Sequence, residues 1–538
     1  MRDVPVRPGS HWMEYGDTAA RPRAPEGLDV DVAVIGAGIA GICTAWELAR
    51  AGRSVALLEA NRVAAGVTGH TTAKLSALHG TVYQRLRSTR GAQGAALYAR
   101  SQQDAIAHVV AVCDELGIDC ELERVPAFTY AETAKEARTV EEEARAAREA
   151  GLPASYVEET GLPFPVAGAV RVEEQAQFHP RKYLYALLAD LEGRGGQIFE
   201  ESRVVGLEEG EPCRLTTEDG RTVTARDVVV ATHYPVFDRS LLFARLKPHR
   251  ELVVAGVIPA AQDPGGMYLT PEGTTRSVRT APYGEGRRLL IVTGEKFTPG
   301  AGRVGERYER LERWTTERFP DVRLTHRWAA QDNEPTDGVP FVGALHPRAR
   351  HAFVATGFNG WGMAGGVMSG KLLAARITGQ KLPWADLYDP VRLQPLKEAP
   401  SLLRFQAAAA GHFVGDRLPF VAGGGPASAI APGEGAVVRS GARQLAVHRD
   451  DAGELHALSA RCTHLGCIVR FNDAERAWEC PCHGSRFGIG GEVLQGPAVR
   501  PLEKVEDFED LEGEKGENDE NGEKDGKDHV KNGKGDDA

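Results

Sequence analysis

Apolar and polar positions change period along this chain. Residues 31–36 (DVAVIG) form a short β-branched apolar run. Residues 39–52 then place Ile42, Ala45 and Leu48–Ala49 at helical spacing and stop at Gly52, and residues 54–60 (SVALLEA) are apolar again. This predicts strand, glycine-rich turn, helix, strand. Residues 91–150 are rich in Ala and Glu and predict long helices. A helix over 181–196 precedes a strand at 203–209, a hairpin at 213–225 and a buried strand at 227–233 (DVVVATH). Residues 250–345 alternate strand-like runs with turns and predict an antiparallel sheet. From residue 352 the strand, glycine-rich turn and helix pattern returns, so the first domain is expected to be discontinuous. Residues 386–430 hold several Pro and Gly with little periodicity and read as a linker, one that can fold over the first domain and either fix the flanking domains or let the second swing. Residues 431–507 are compact and strand-rich.

Composition narrows the classes. The 538 residues are 42% hydrophobic and 26% charged, as in a soluble globular protein. Of the net charge of −11, −7 falls between Glu509 and Ala538. That tail has too few apolar residues to offset its conformational entropy, so disorder is expected over 508–538. The near-neutral remainder has no basic footprint for nucleic acid. The N-terminus lacks the apolar core of a signal peptide, and no run of 18 apolar residues exists; residues 352–368 are rich in Gly and broken by Asn359. A cytoplasmic protein without a transmembrane segment is expected.

The first turn carries chemistry. GAGIAG places Gly36, Gly38 and Gly41 in a G-x-G-x-x-G pattern between strand and helix, and Glu59 ends the next strand. Gly36 allows a tight turn, Gly38 lets the backbone approach a pyrophosphate, and Gly41 lets helix and strand pack closely. The helix N-terminus suits phosphate and Glu59 suits ribose hydroxyls. The fingerprint alone does not choose FAD over NAD. Residues 31–60, DVVVATH and DGVPFVG followed by HAFVATGFNGWGMAGG together resemble the D-amino-acid oxidase-type family of FAD-dependent oxidoreductases, over roughly residues 10–385. The resemblance implies FAD, with Gly357, Phe358, Gly362 and Met363 beside the isoalloxazine and Val204 near the adenine. It places Thr68, Thr71, Thr72 and Lys74 where they can donate to pyrophosphate or flavin. His70 lies near the point where some relatives attach flavin covalently, although a noncovalent polar loop residue is expected. Only one nucleotide fingerprint is visible, so NAD(P)H is not the expected donor. Arg279 is a candidate fork for a substrate carboxylate, with a structural role equally open.

Cysteine distribution points to a second centre. Cys43, Cys113, Cys120 and Cys213 are scattered, whereas CTHLGC and CPCHGS stand 12 residues apart. Cys462, His464, Cys480 and His483 supply the two thiolates and two imidazoles of a [2Fe–2S] cluster with His on one iron. The same set suits tetrahedral Zn²⁺, although zinc fingers pair Cys with Cys and His with His. The segment closely resembles the Rieske family, which also matches Gly466, Gly484 and Ser485. The resemblance implies a disulfide between Cys467 and Cys482. It places Ser485 near a bridging sulfide and a shielding loop at 496–498. Phe487 stands where high-potential members carry Tyr, which implies an intermediate potential. A Rieske oxygenase would need two His and a carboxylate on one iron; His346 and His351 have suggestive spacing but no carboxylate just upstream.

The expected fold is therefore α/β: a Rossmann-like FAD-binding domain with an inserted antiparallel α+β substrate domain, plus a small all-β Rieske domain. The expected boundaries are an N-terminal extension (1–28), the oxidoreductase domain (29–385), a linker (386–430) and the Rieske domain (431–507). FAD-binding pieces fall at about 29–90, 175–245 and 346–385, and substrate-domain pieces at about 91–174 and 246–345. The expected activity is dehydrogenation of a small substrate, an amine or amino acid. Electrons would pass through FAD and the cluster to an external acceptor: a protein, a quinone or O₂. An electron carrier with no substrate of its own is the alternative.

Overall fold

The computed structural model describes residues 6–16, 20–271, 275–392, 395–415, 427–441 and 443–506. The expected acidic tail lies outside them. An eight-stranded sheet carries the nucleotide fold. Its main path runs Phe341–Ala344, Ala352–Thr356, Thr222–Val230, Leu28–Ile35, Val55–Leu58 and Gln197–Phe199. The last five strands are parallel neighbours and the first is antiparallel. Parallel strands need both faces covered. Helices Ile39–Arg50 and Gly362–Ile377 pack together on one face, where Gly370 and Gly366 leave room for Cys43 and Ile39. The hairpin Cys213–Thr217/Thr222–Val230 forms in the expected place.

A ten-stranded, mostly antiparallel sheet builds the second layer. Its longest ribbon pairs Leu246–Pro259 with Arg323–Pro335, placing His249 opposite Asp332, Arg250 opposite Gln331 and Glu251 opposite Ala330. The Ala/Glu-rich region forms helix Val82–Leu116, broken at Gly91 (φ 74°), and helix Ala134–Glu149. Thr133 and Glu136 close a capping box on the latter, satisfying two helix-terminal N–H groups. The strand Glu123–Ala131 between these helices completes the sheet.

The ends of the first domain are packed into it. Arg7–Pro8 pairs with His326–Arg327, and the buried Trp12 donates its Nε1–H to Thr71 O at 2.7 Å. In the segment read as a linker, residues 395–415 form helix Pro395–Gly415, with Pro400 inside it. The buried Glu398 accepts from Thr336 Oγ1 and pairs with Arg245. Just before it, Arg392 forks onto Asp337 at 2.8 and 3.1 Å. The C-terminal region is two small antiparallel sheets of three and four strands. Among the described residues no helix is long and apolar enough to cross a membrane.

Candidate functional site

The turn after Leu28–Ile35 opens on a cavity of about 730 Å³. Gly36 has φ 98°, and a Cβ there would lie 2.6 Å from Ala231 O. A Cβ on Gly41 would lie 1.8 Å from Gly36 O. Both glycines are required by backbone packing. Gly38 differs: a Cβ would meet only Thr68 Oγ1, at 3.2 Å, and it would stand at the mouth of helix Ile39–Arg50. Thr68 Oγ1 accepts from Ile39 N at 3.1 Å. Glu59 accepts from Ala37 N and Asn61 N through separate oxygens at 2.8 and 2.9 Å, and burial pushes its pKa up. A side-chain-free helix N-terminus beside a half-buried carboxylate fits a pyrophosphate and ribose.

The cavity wall brings together Gly36, Gly38, Glu59, Thr68, His70, Thr71, Thr72, Val204, Phe358, Gly362 and Met363. Gly41, Gly357, Lys74 and Arg279 are not on it. Gly357 (φ 78°) shapes the turn behind Phe358, against Leu246 and Pro335. Lys74 Nζ donates to Thr72 Oγ1 and Ser277 Oγ, and burial pulls its pKa down to about 7. His70 Nδ1 lies 2.9 Å from Gly66 O, and burial lowers its pKa.

Arg279 takes a different place from the one expected of a substrate fork. Its guanidinium is buried and donates to the carbonyls of Thr72, Ala73 and Thr280, at 2.7–3.1 Å. It braces the Thr71–Lys74 loop instead of facing a ligand. His346 and His351 are likewise apart in role: the first pairs with Glu209 and the second with Asp227. No shared metal set includes them among the described residues.

Sequence reading missed the ribbon's contribution. Its His249, Glu251 and Asp332 line the cavity, as does His233, which follows strand Thr222–Val230. Gly360 N and Asn333 N donate to the two oxygens of Asp332. Alternation marks His249 and Glu251 as sharing one strand face, but the sequence does not show that this face is covered.

In the C-terminal domain two similar turns face each other. Gly466 N bonds Cys462 O and Gly484 N bonds Cys480 O, at 2.9 and 3.0 Å. A Cys467–Cys482 disulfide joins the turns. Cys462 and Cys480 are buried free thiols in contact. The His464 and His483 rings lie 4.9 Å apart, and among the described residues neither buried Nδ1 has a hydrogen-bond partner. Burial lowers their pKa values to about 4 and about 3, so both imidazoles are neutral at pH 7. Two thiols and two partnerless neutral imidazoles fit a Rieske ligand set. Ser485 Oγ reaches the Cys462 thiol and accepts from Ala498 N at 3.0 Å.

This domain docks on the ribbon and on the cavity mouth. Gln331 Nε2 donates to Gly484 O at 2.9 Å. Arg250, 1% exposed, bonds Glu475 and the fully buried Glu479. Glu479 also accepts from Gly300 N, and Asp473 accepts from Val304 N and Gly305 N. Gln495, Gly496 and Ala498 form part of the cavity wall. Thr232 and His233 line the cavity, and the next residue, Tyr234, meets the His464 and His483 rings at 6.3 and 5.9 Å.

Comparison with known proteins agrees with both halves. Residues 31–376 match the family model described as FAD dependent oxidoreductase (DAO). The chain belongs to that family. Residues 424–506 match the Rieske [2Fe–2S] domain. Bacillus subtilis (strain 168) YhfW, named as a Rieske 2Fe-2S iron-sulfur protein, is 32% identical over 503 residues, covering 93% of this chain and 98% of that one. The cytochrome b6-f complex iron-sulfur subunit of Synechococcus sp. (strain JA-3-3Ab) is 52% identical over 50 residues, 9% of this chain and 29% of that one. Glycine oxidase from Geobacillus kaustophilus shares the fold at TM-score 0.56 and 21% identity, over 68% of this chain and 99% of that one. L-proline dehydrogenase from P. horikoshii does so at TM-score 0.56 and 17% identity, over 69% and 98%. The protein is an FAD-dependent oxidoreductase with a Rieske [2Fe–2S] domain, and its two cofactors imply a reduced substrate and an electron acceptor.

Proposed function

We propose that this oxidoreductase dehydrogenates an amine or amino acid and delivers the electrons through its Rieske domain to an external acceptor. The observation that carries this reading is the span Thr232–Tyr234, three consecutive residues joining the cavity wall to the imidazole pair. When bound, FAD accepts two electrons from a substrate and can release them singly, and the cluster carries one. Gly36, Gly38, Thr68 and the helix N-terminus hold the pyrophosphate, Glu59 and Val204 the adenosine end, and Phe358, Gly362 and Met363 the ring side. Cys462, Cys480, His464 and His483 ligate the cluster. Gly496 and Ala498 of the Rieske loop contribute to the cavity wall. Structural neighbours whose names include glycine oxidase, L-proline dehydrogenase and L-amino acid deaminase support the substrate class.

Anaerobic mixing of the purified holoprotein with amines and amino acids tests this. The expected result is flavin bleaching followed by the reduced Rieske EPR signal, with iron and no zinc by metal analysis. Bleaching with no cluster signal, or zinc in place of iron, would overturn the relay. In the His483→Cys variant flavin bleaching should survive, while the cluster potential falls because thiolate replaces neutral imidazole.

A further inference from the structure

The charged groups on the cavity wall are unequal in a way that bears on the substrate. Five arginines line it among the described residues: Arg203, Arg250, Arg327, Arg476 and Arg486. Each has a carboxylate within 4.0 Å. Arg203 pairs with Glu218, Arg250 and Arg486 with Glu475 and Glu479, Arg327 with Glu312, and Arg476 with Asp451. Arg279, behind the wall, is held by three carbonyls. Thus, among the described residues, every guanidinium on the wall has a carboxylate within 4.0 Å, the longest of these contacts being the 3.9 Å between Arg327 and Glu312.

The acids divide differently. Glu59 and Asp332 take backbone N–H donors, and Glu475 takes arginines. Glu251 has no hydrogen-bond donor among the described residues, although it sits on the wall beside His249. The two lysines whose charges act on it do not bond it: Lys74 donates to Thr72 and Ser277, and Lys296 is exposed. His249 is 6% exposed, and among the described residues its buried Nδ1 has no hydrogen-bond partner; nor has Thr293 Oγ1, on the same wall. A half-buried carboxylate with free acceptor capacity, next to buried polar atoms without partners, is a cation-binding arrangement.

We infer that the substrate is recognised as an ammonium cation by Glu251, with His249 as a second acceptor, and that no α-carboxylate is recognised. The substrate class is then an alkyl amine or polyamine and not an α-amino acid. This rests on the dehydrogenation reading and sharpens it. Burial keeps His249 neutral and so able to accept a hydrogen bond from the ammonium.

The test separates binding from turnover. tert-Butylammonium and pivalate share the same tert-butyl group with opposite charge, and neither carries a hydrogen on the carbon bearing its charged group, so neither can be dehydrogenated there. Each is titrated into the FAD- and cluster-loaded protein, following perturbation of the flavin spectrum and binding heat. The cation should bind at least tenfold more tightly than the anion. Glu251→Gln should weaken cation binding about tenfold or more, as expected for loss of a charge-assisted hydrogen bond, and Glu251→Asp should restore part of it. Flavin content and the Rieske EPR spectrum report whether each variant is folded. Equal or tighter pivalate binding, or cation binding indifferent to Glu251→Gln in a folded protein, would overturn the inference. Anaerobic bleaching by amines but not by the matching amino acids would support it. Selective cation binding with no bleaching by any amine would support the charge assignment and sink the dehydrogenation reading instead.

Discussion

At Gly41 a methyl group would sit 1.8 Å from a carbonyl oxygen of the same turn, whereas at Gly38 it would meet one hydroxyl at 3.2 Å. The two glycines therefore answer to different demands, and substitution should separate them. Gly41→Ala is expected to cost about 2–4 kcal/mol, as backbone displacement in a packed core does, and to lower the Tm of the flavin-free protein. Gly38→Ala should leave that Tm nearly unchanged and lower the flavin-to-protein ratio. Equal flavin content in wild type and Gly38→Ala would remove Gly38 from the pyrophosphate site. The packing role of Gly41 was legible in the sequence because a turn's backbone demands are local. The role of Arg279 was not. Two of its three carbonyl partners belong to the Thr71–Lys74 loop, about 200 positions earlier, and nothing local to residue 279 shows that this loop comes to its guanidinium. Glu251 was equally hidden, since its meaning depends on which other charges find partners.

Among elements, the segment after residue 385 departs most from its sequence pattern. Pro400 and weak periodicity read as linker, yet helix Pro395–Gly415 forms and is tied down through Glu398. The sequence could not show this, because the partners Arg245, Thr336 and Asp337 lie 50–150 residues away. Asp337 is the pivot: Arg392 and Arg90 hold its pKa down to about 2 against a burial penalty. A carboxyl whose folded pKa is depressed stabilises above its unfolded pKa, near 3.8, and loses that contribution as pH falls through about 2. The shift corresponds to about 2 kcal/mol at neutral pH. Asp337→Asn should therefore be less stable than wild type by about that amount at pH 7. Denaturant titrations should bring the two proteins together as pH drops from 4 toward 2. A gap that stays constant over that range would mean that the charge of Asp337 is not what ties the segment down.

At the scale of the whole molecule, two cofactor domains were readable from two short motifs, but their relative placement was not. Motifs report local ligand geometry, whereas docking depends on side chains with no motif. Here those side chains are specific. Helix Val304–Arg318 lacks a side-chain cap of its own, and Asp473 of the Rieske domain supplies one at 2.8 and 3.1 Å. Glu479, fully buried, accepts from Gly300 N and binds Arg250. The Rieske domain is thereby docked with its imidazoles against Tyr234 and Phe243. Two substitutions grade this interface. Asp473→Ala removes a cap and should cost about 1 kcal/mol. Glu479→Ala leaves Arg250 with Glu475 alone and should cost about 3–5 kcal/mol, the range for breaking a buried ion pair. Neither residue lines the cavity or belongs to the ligand set, so anaerobic flavin bleaching by substrate and the Rieske g-values should match wild type. What should change is the delay between bleaching and the EPR signal: slight for Asp473→Ala, long for Glu479→Ala, because electron transfer depends on the docked distance. Freeze-quench EPR measures that delay. If Glu479→Ala retains wild-type g-values and transfers as fast as wild type, the docked contact does not set the rate, and the Rieske domain must reach the flavin by another arrangement.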